Sequence, residues 1–221
     1  MTIESKLAEM LTTRLCHDLT GPIGAVNNGV EFLGEEGFDM QNEAVQLIFS
    51  SAHEAINRLQ FYRQAYGRGS DSGEACLADK KKITMDFFSS TKVTIDWPDS
   101  HTDASGVAVS QKHSRLLLNL LVITGASLIR GGTLSVRINQ SDSGTKTFQL
   151  IAEGETIKVD PDTIAIFGRD SGSVALSPKT AQPFLTRILA DELGATVTFD
   201  VASDRLEVTA TQPQMAIASA V

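Results

Sequence analysis

The run Gly67-Arg-Gly-Ser-Asp-Ser-Gly73 divides the chain into two stretches whose hydrophobic periods differ. Before it, apolar residues recur only at helical spacing. After it, helical and alternating patterns take turns. The run is small and polar enough to act as a linker, which sets domain bounds of 1–68 and 74–213, with a small-residue tail over 214–221.

In the first stretch, Ile3 to about Gly34 reads as one long helix. At about 100° per residue, Leu15, Leu19, Ile23, Val26, Val30 and Leu33 share a stripe. Pro22 lies inside it and is expected to kink it, because proline removes a backbone hydrogen bond and crowds the preceding turn. Gly34, Gly37 and Asp39 supply a turn. A second helix over 42–66 carries Val45, Ile48, Ala52, Ala55, Leu59 and Tyr62 at three- and four-residue steps. The two form an antiparallel hairpin. Its apolar faces are too broad to be buried by one hairpin alone, which predicts a homodimer with a four-helix bundle built from two chains.

The second stretch reads as helix 75–88, strand 92–97, helix 111–129, strands 133–139 and 147–152, helix 178–193, and strands 195–201 and 205–211. Ser177 is the expected N-cap of the last helix, Pro178 its first residue and Gly194 its stop. This is a two-layer α/β sandwich, and the fold class of the whole chain is α+β.

Composition narrows the function. A net charge of −8 lacks the basic footprint of a nucleic-acid binder. No apolar run reaches a membrane span, and Met1–Leu11 has no basic segment followed by an apolar one. Cys16 and Cys76 have no partners at metal-ligand spacing. A reducing cytoplasm is the expected setting, with no nucleic acid and no membrane as partners.

The chemistry concentrates at Leu15-Cys-His-Asp-Leu-Thr-Gly-Pro-Ile23. His17 falls about 180° from the centre of the apolar stripe, so its imidazole is expected in solvent. A neutral imidazole keeps a lone pair on one nitrogen, a competent nucleophile toward phosphorus. Asp18 can accept from the other nitrogen and fix the tautomer. Thr20, Gly21, Gly24 and Asn28 lie on the same side of the helix and are small or polar. Glycine is costly inside a helix, and close approach of another protein's surface would explain two of them; tight helix packing in the dimer would too. Arg14 is one turn earlier, within reach of phosphoryl oxygens. Arg58 and Phe61 of the second helix come to the same height, Phe61 as an exposed docking aromatic or as a contact to the second domain. Cys16 beside His17 is too small a donor set for a metal.

His17-Asp-Leu-Thr-Gly-Pro-Ile23 resembles the phosphoacceptor box of sensor histidine kinases. Arg115-Leu-Leu-Leu-Asn119-Leu-Leu and Arg130-Gly-Gly-Thr-Leu-Ser-Val-Arg-Ile138 are similar to that family's N-box helix and the following strand. The departures matter as much. Ile123 stands at the Mg-binding Asn, Ala152 at the adenine-reading Asp, Thr156 at a box glycine, and Ala181-Gln-Pro-Phe-Leu185 where a glycine-rich phosphate-binding segment would be. A kinase-like dimerisation hairpin joined to an ATP-binding-like domain without its ATP-binding residues resembles the ChpT-type histidine phosphotransferases of bacterial phosphorelays, as does Gln-Pro-Phe-Leu itself. The resemblance implies His17 as catalytic nucleophile and Asp18 as its orienting partner. It implies a phosphoryl path from the receiver of a hybrid kinase through His17 to a second receiver, Mg²⁺ supplied by the receiver, and no ATP. The competing readings are an ATP-dependent kinase with an atypical nucleotide site and a non-enzymatic dimeric scaffold.

Overall fold

A computed structural model of the chain describes residues 2–34, 38–67, 73–168 and 171–213. The linker residues 68–72, the turn residue Gly37 and the tail 214–221 lie outside the described residues.

Helix α1 (Ile3–Leu33) starts at Thr2, whose side-chain oxygen accepts from the Ser5 N–H, and runs through Pro22. Helix α2 (Phe38–Tyr66) returns alongside it. It begins at Phe38 rather than at 42, so Asp39 belongs to the helix and not to the turn. The shared apolar stripe is only partly covered within the chain: Ile23 and Val30 of α1 and Val45, Phe49, Ile56 and Leu59 of α2 remain exposed.

Helix α3 (Leu77–Phe88) has no side-chain cap from its own N-cap residue. The Asp103 carboxylate takes the Leu77 and Ala78 N–H groups instead, and those bonds hold it below the usual carboxylate range. Strand β1 (Val93–Asp96), helix α4 (Gln111–Ala126) and strands β2 (Gly132–Gln140) and β3 (Lys146–Glu153) follow, then α5 (Pro161–Phe167), α6 (Ala181–Leu193), β4 (Thr196–Val201) and β5 (Arg205–Gln212). The strand order is β1-β2-β3-β5-β4, parallel only between β1 and β2. Register places Leu134 opposite Ala152 and Ala152 opposite Leu206. Alternation then puts Leu134, Val136, Ile138, Phe148, Leu150, Leu206 and Val208 on one buried face. Helix α4 packs on that face. It is apolar on nearly every side because α2, α3 and α6 cover its back.

Two expectations need correction. Helix α6 begins at Ala181, not at Pro178. Thr180 Oγ1 donates back to the Ala175 carbonyl and accepts from the Ser177 N–H, which locks 177–180 into a turn before the helix. Helix α5 forms where the hydrophobic pattern predicts no element, with Asp160 capping it and Pro161 opening it. Gly194 ends α6 with φ of 62°, the left-handed stop expected of it.

His113, near the start of α4, clamps the far end of the sheet. Its Nδ1 meets Ser110 Oγ at 2.7 Å, and its Nε2 meets Gln212 Oε1, while Gln212 Nε2 donates to the Leu193 carbonyl at 2.7 Å. Burial holds the imidazole below its ordinary range. The unfolded chain therefore takes up this proton first as the pH falls. The clamp contributes fully above about 6.5, the ordinary imidazole value, and is lost progressively below it. Denaturant titrations are expected to show stability declining from pH 7 to pH 5, and His113→Gln should flatten that decline.

Candidate functional site

The long α1 carries His17, Thr20, Gly21, Gly24 and Asn28 on one exposed side. The His17 side chain is 87% exposed, and its Nδ1 lies 3.3 Å from Asp18 Oδ1. Asp18 is far more enclosed, at 21%, and its second oxygen accepts from the Tyr62 hydroxyl at 2.6 Å. The Arg14 Nε is 3.8 Å from the same oxygen, so Arg14 faces Asp18. Burial, then the hydrogen bond to Asp18, pushes the Tyr62 hydroxyl far above its usual range and keeps it a donor.

Pro22 explains where Arg58 goes. A helix pairs the carbonyl of residue 18 with the N–H of residue 22, and proline has none. Arg58 Nη1 of α2 donates to the Asp18 carbonyl at 3.1 Å in its place, and Nη2 binds Glu54 at 2.6 Å. Arg58, expected on the docking face, thus uses Nη1 to tie the hairpin together beneath His17, while Nη2 is held by Glu54 of its own helix. A shallow depression beside the imidazole is lined by Asp18, Gly21, Pro22, Ser51, Glu54 and Arg58.

Phe61 is the site residue the structure corrects. It is fully buried and stacks on Phe87 of α3 at 4.2 Å between ring centroids, 27° apart. The side of α2 that carries it is covered by the α/β unit, so it packs against the second domain and is no docking contact. Tyr62 is the residue that periodicity concealed. Spacing assigns position 62 to the core stripe, where it is indeed buried, but a buried tyrosine needs a partner for its hydroxyl, and that need was the available signal.

The two kinds of glycine separate cleanly. A Cβ on Gly29 would fall 2.6 Å from Ile48 of α2, so that glycine serves hairpin packing. A Cβ on Gly21 or Gly24 would meet nothing within 4 Å. Among the described residues no group of three or more His, Cys, Asp or Glu could hold a metal ion, and no helix is long and apolar enough to cross a membrane.

On the other side of α2 a buried polar chain joins the hairpin to the sandwich. Tyr66 OH donates to Gln182 Oε1, Gln182 Nε2 donates to Asn119 Oδ1 at 3.1 Å, and Asn119 Nδ2 donates to the Ala65 carbonyl at 2.8 Å. Asn119 and Gln182 are both fully buried.

An exposed histidine backed by a carboxylate, on a helical hairpin packed against an α/β sandwich, has clear relatives. A family model described as the histidine phosphotransferase C-terminal domain matches residues 77–205. The protein phosphotransferase ChpT of Brucella abortus (strain 2308) is 31% identical over 199 residues, covering 90% of this chain and 91% of that protein. A solved bacterial phosphotransferase superposes with a TM-score of 0.80 at 30% identity, over 95% of this chain and 97% of the other. The chain belongs to the ChpT-type histidine phosphotransferases. It is a phosphotransferase of two-component signalling.

The Pro22–Arg58 relation is measurable as a coupling. Arg58→Ala is expected to cost about 1 kcal/mol of folding stability by leaving the Asp18 carbonyl without its donor. In a Pro22→Ala background the helix supplies that donor, and the cost of losing Arg58 should shrink to what its bond with Glu54 contributes. A double-mutant cycle by denaturant titration reads the difference.

Proposed function

We propose that the chain accepts a phosphoryl group on His17 from the aspartyl phosphate of one receiver domain and delivers it to the aspartate of another. The observation that carries this is the exposed imidazole whose Nδ1 is engaged by Asp18, which leaves Nε2 directed at solvent. The Nε2 lone pair attacks phosphorus in line, and the N–P bond forms as the bond from phosphorus to the receiver's carboxylate oxygen breaks. The carboxylate leaves with the bonding pair, and the proton on Nδ1 stays beside Asp18. Transfer onward is the same step reversed. Mg²⁺ and its acidic pocket belong to the receiver in this reading, where they neutralise charge on the moving group. The chain's own contribution is positioning. Open space beyond Gly21 and Gly24 supports close approach of a receiver.

The exposed apolar row of Ile23, Val30, Phe49, Ile56 and Leu59 supports a homodimer with a four-helix bundle. An open apolar groove of about 590 Å³ between Leu15, Leu59, Tyr62 and Tyr66 extends the row. The exposed, unpaired Cys16 and Cys76 are compatible with a reducing cytoplasm.

The reading also gives the sandwich no ATP. Ala152 is buried in β3 and offers only a methyl group. The space between Ile123, Ser127, Thr163, Gln182 and Pro183 is a cavity of about 250 Å³, below the roughly 300–1,000 Å³ of small-molecule sites. Lys179 and Asp160 pair beside it.

Incubation with a phosphorylated receiver is expected to place an acid-labile, base-stable label on the chain, and His17→Gln should abolish it. Gly24→Leu should slow transfer without loss of folding stability, since the added side chain has room and leucine is the better helix former by roughly 1 kcal/mol. Absence of label on the wild-type chain from any receiver, or its retention in His17→Gln, would reject the reading. Calorimetry with Mg-ATP should show no saturable binding at micromolar concentration; binding there, with γ-phosphate reaching His17 and no kinase present, supports the ATP-dependent alternative.

A further inference from the structure

The contacts of Asp18 are unequal. Its Oδ1 faces an imidazole in solvent, while its Oδ2 is held by a hydroxyl inside the protein. We infer that Tyr62 is a positioning residue for phosphoryl transfer: by donating to Asp18 Oδ2 it turns Oδ1 toward His17 Nδ1 and leaves Nε2 as the nitrogen with the free lone pair. This rests on the reading that His17 carries the phosphoryl group.

An ionised carboxylate only accepts hydrogen bonds. A neutral His17 bonded to it must therefore carry its proton on Nδ1, the tautomer an isolated imidazole does not favour. The contact itself is long and exposed, so it cannot by its own strength hold Asp18 in one rotamer. Two enclosed groups supply what it lacks. The Tyr62 hydroxyl fixes Oδ2 at 2.6 Å, and the Arg58 guanidinium fixes the Asp18 backbone at 3.1 Å.

Tyr62 is itself immobilised. Its ring stacks on Tyr66 at 5.0 Å, and meets Phe87 edge-on at 5.6 Å and Phe61 at 6.1 Å. Phe87 belongs to α3, and the Tyr66 hydroxyl is held by Gln182 of α6. The α/β sandwich thus reaches the phosphoacceptor through one aromatic ring, as the rigid wall against which that ring is packed. This gives the sandwich a task in transfer that requires no nucleotide.

The test uses the full-length chain with ¹⁵N-labelled histidine. In the wild type, the His17 signals should report a protonated Nδ1 and an unprotonated Nε2. Tyr62→Phe keeps the ring packing and removes only the hydroxyl. It is expected to shift His17 toward the Nε2-protonated form and to slow phosphoryl acceptance on the order of tenfold, as loss of a group that orients a reacting ligand does elsewhere. Thr198→Val removes a hydroxyl of β4 that bonds the Thr209 carbonyl and does not touch Asp18 or the rings around Tyr62, and should leave both readouts unchanged. Wild-type tautomer populations in Tyr62→Phe would overturn the inference, whatever the rate. A tautomer shift in a chain that takes no label from any receiver would uphold the link from Tyr62 to His17 while rejecting the transfer reading it was meant to serve.

Discussion

The buried hydrogen bonds of Asn119 hold the two halves of the molecule in one arrangement. Its amide donates to the Ala65 carbonyl near the end of α2, and its carbonyl oxygen accepts from Gln182 of α6. A fully buried amide left without partners would cost about 1–3 kcal/mol, so the helices that satisfy it are constrained together. Around this chain the contact is apolar: Phe61 on Phe87, and Leu15 against the common core. Burying a phenylalanine contributes roughly 1.5–3 kcal/mol, but hydrophobic contact alone tolerates sliding. The amide network has one register. It fixes α2 against α4 and α6, and α2 in turn presents Tyr62 and Arg58 to α1.

The same residue shows how a sequence likeness can mislead in detail while holding in outline. Asn119 sits in a stretch that resembles a kinase N-box, yet its side chain is turned into the protein and every polar atom is used internally. Gln182, in the segment that departs from a phosphate-binding loop, is its partner. In this fold, side chains at positions resembling a nucleotide site serve the seam between the hairpin and the sandwich.

Much of the architecture was legible. The helix and strand pattern, the hairpin, the sandwich and the exposure of His17 all follow from periods of 3.6 and 2. What escaped had physical reasons. Helix α5 has only seven residues, too few for a period to declare itself, and only its Asp160-Pro161 opening announced it. Ser177-Pro178 has the grammar of a helix start, but the Thr180 hydroxyl diverts the backbone into a turn. Phe61 lies off the hairpin's own stripe, and periodicity within one helix cannot tell a second buried face from solvent. A helix with two covered sides looks, from its sequence, like a helix with one covered side and stray apolar residues. Arg58 comes to the height the sequence predicts, but its bond to α1 was hidden, because its target is the Asp18 carbonyl, forty positions away in sequence and freed by Pro22, and no side-chain pattern reveals such an acceptor.

Under the proposed function, His17 faces opposed demands. The imidazole must stand in solvent for a partner's aspartate to reach it, yet exposed side chains are poorly ordered and their ion pairs contribute at most about 1 kcal/mol. The structure separates the two demands between adjacent residues. His17 is given to solvent, and Asp18, one position along the same helix, lies closer to the hairpin interior, where a tyrosine and an arginine of α2 reach its side chain and its backbone. Pro22 belongs to the same arrangement, since without it the Asp18 carbonyl would be occupied by the helix and unavailable to Arg58. Order is imposed on the enclosed member of the pair and passed to the exposed one through a single hydrogen bond. Among the described residues, the accessible nitrogen is thereby left free of contacts that the proposed transfer would have to break.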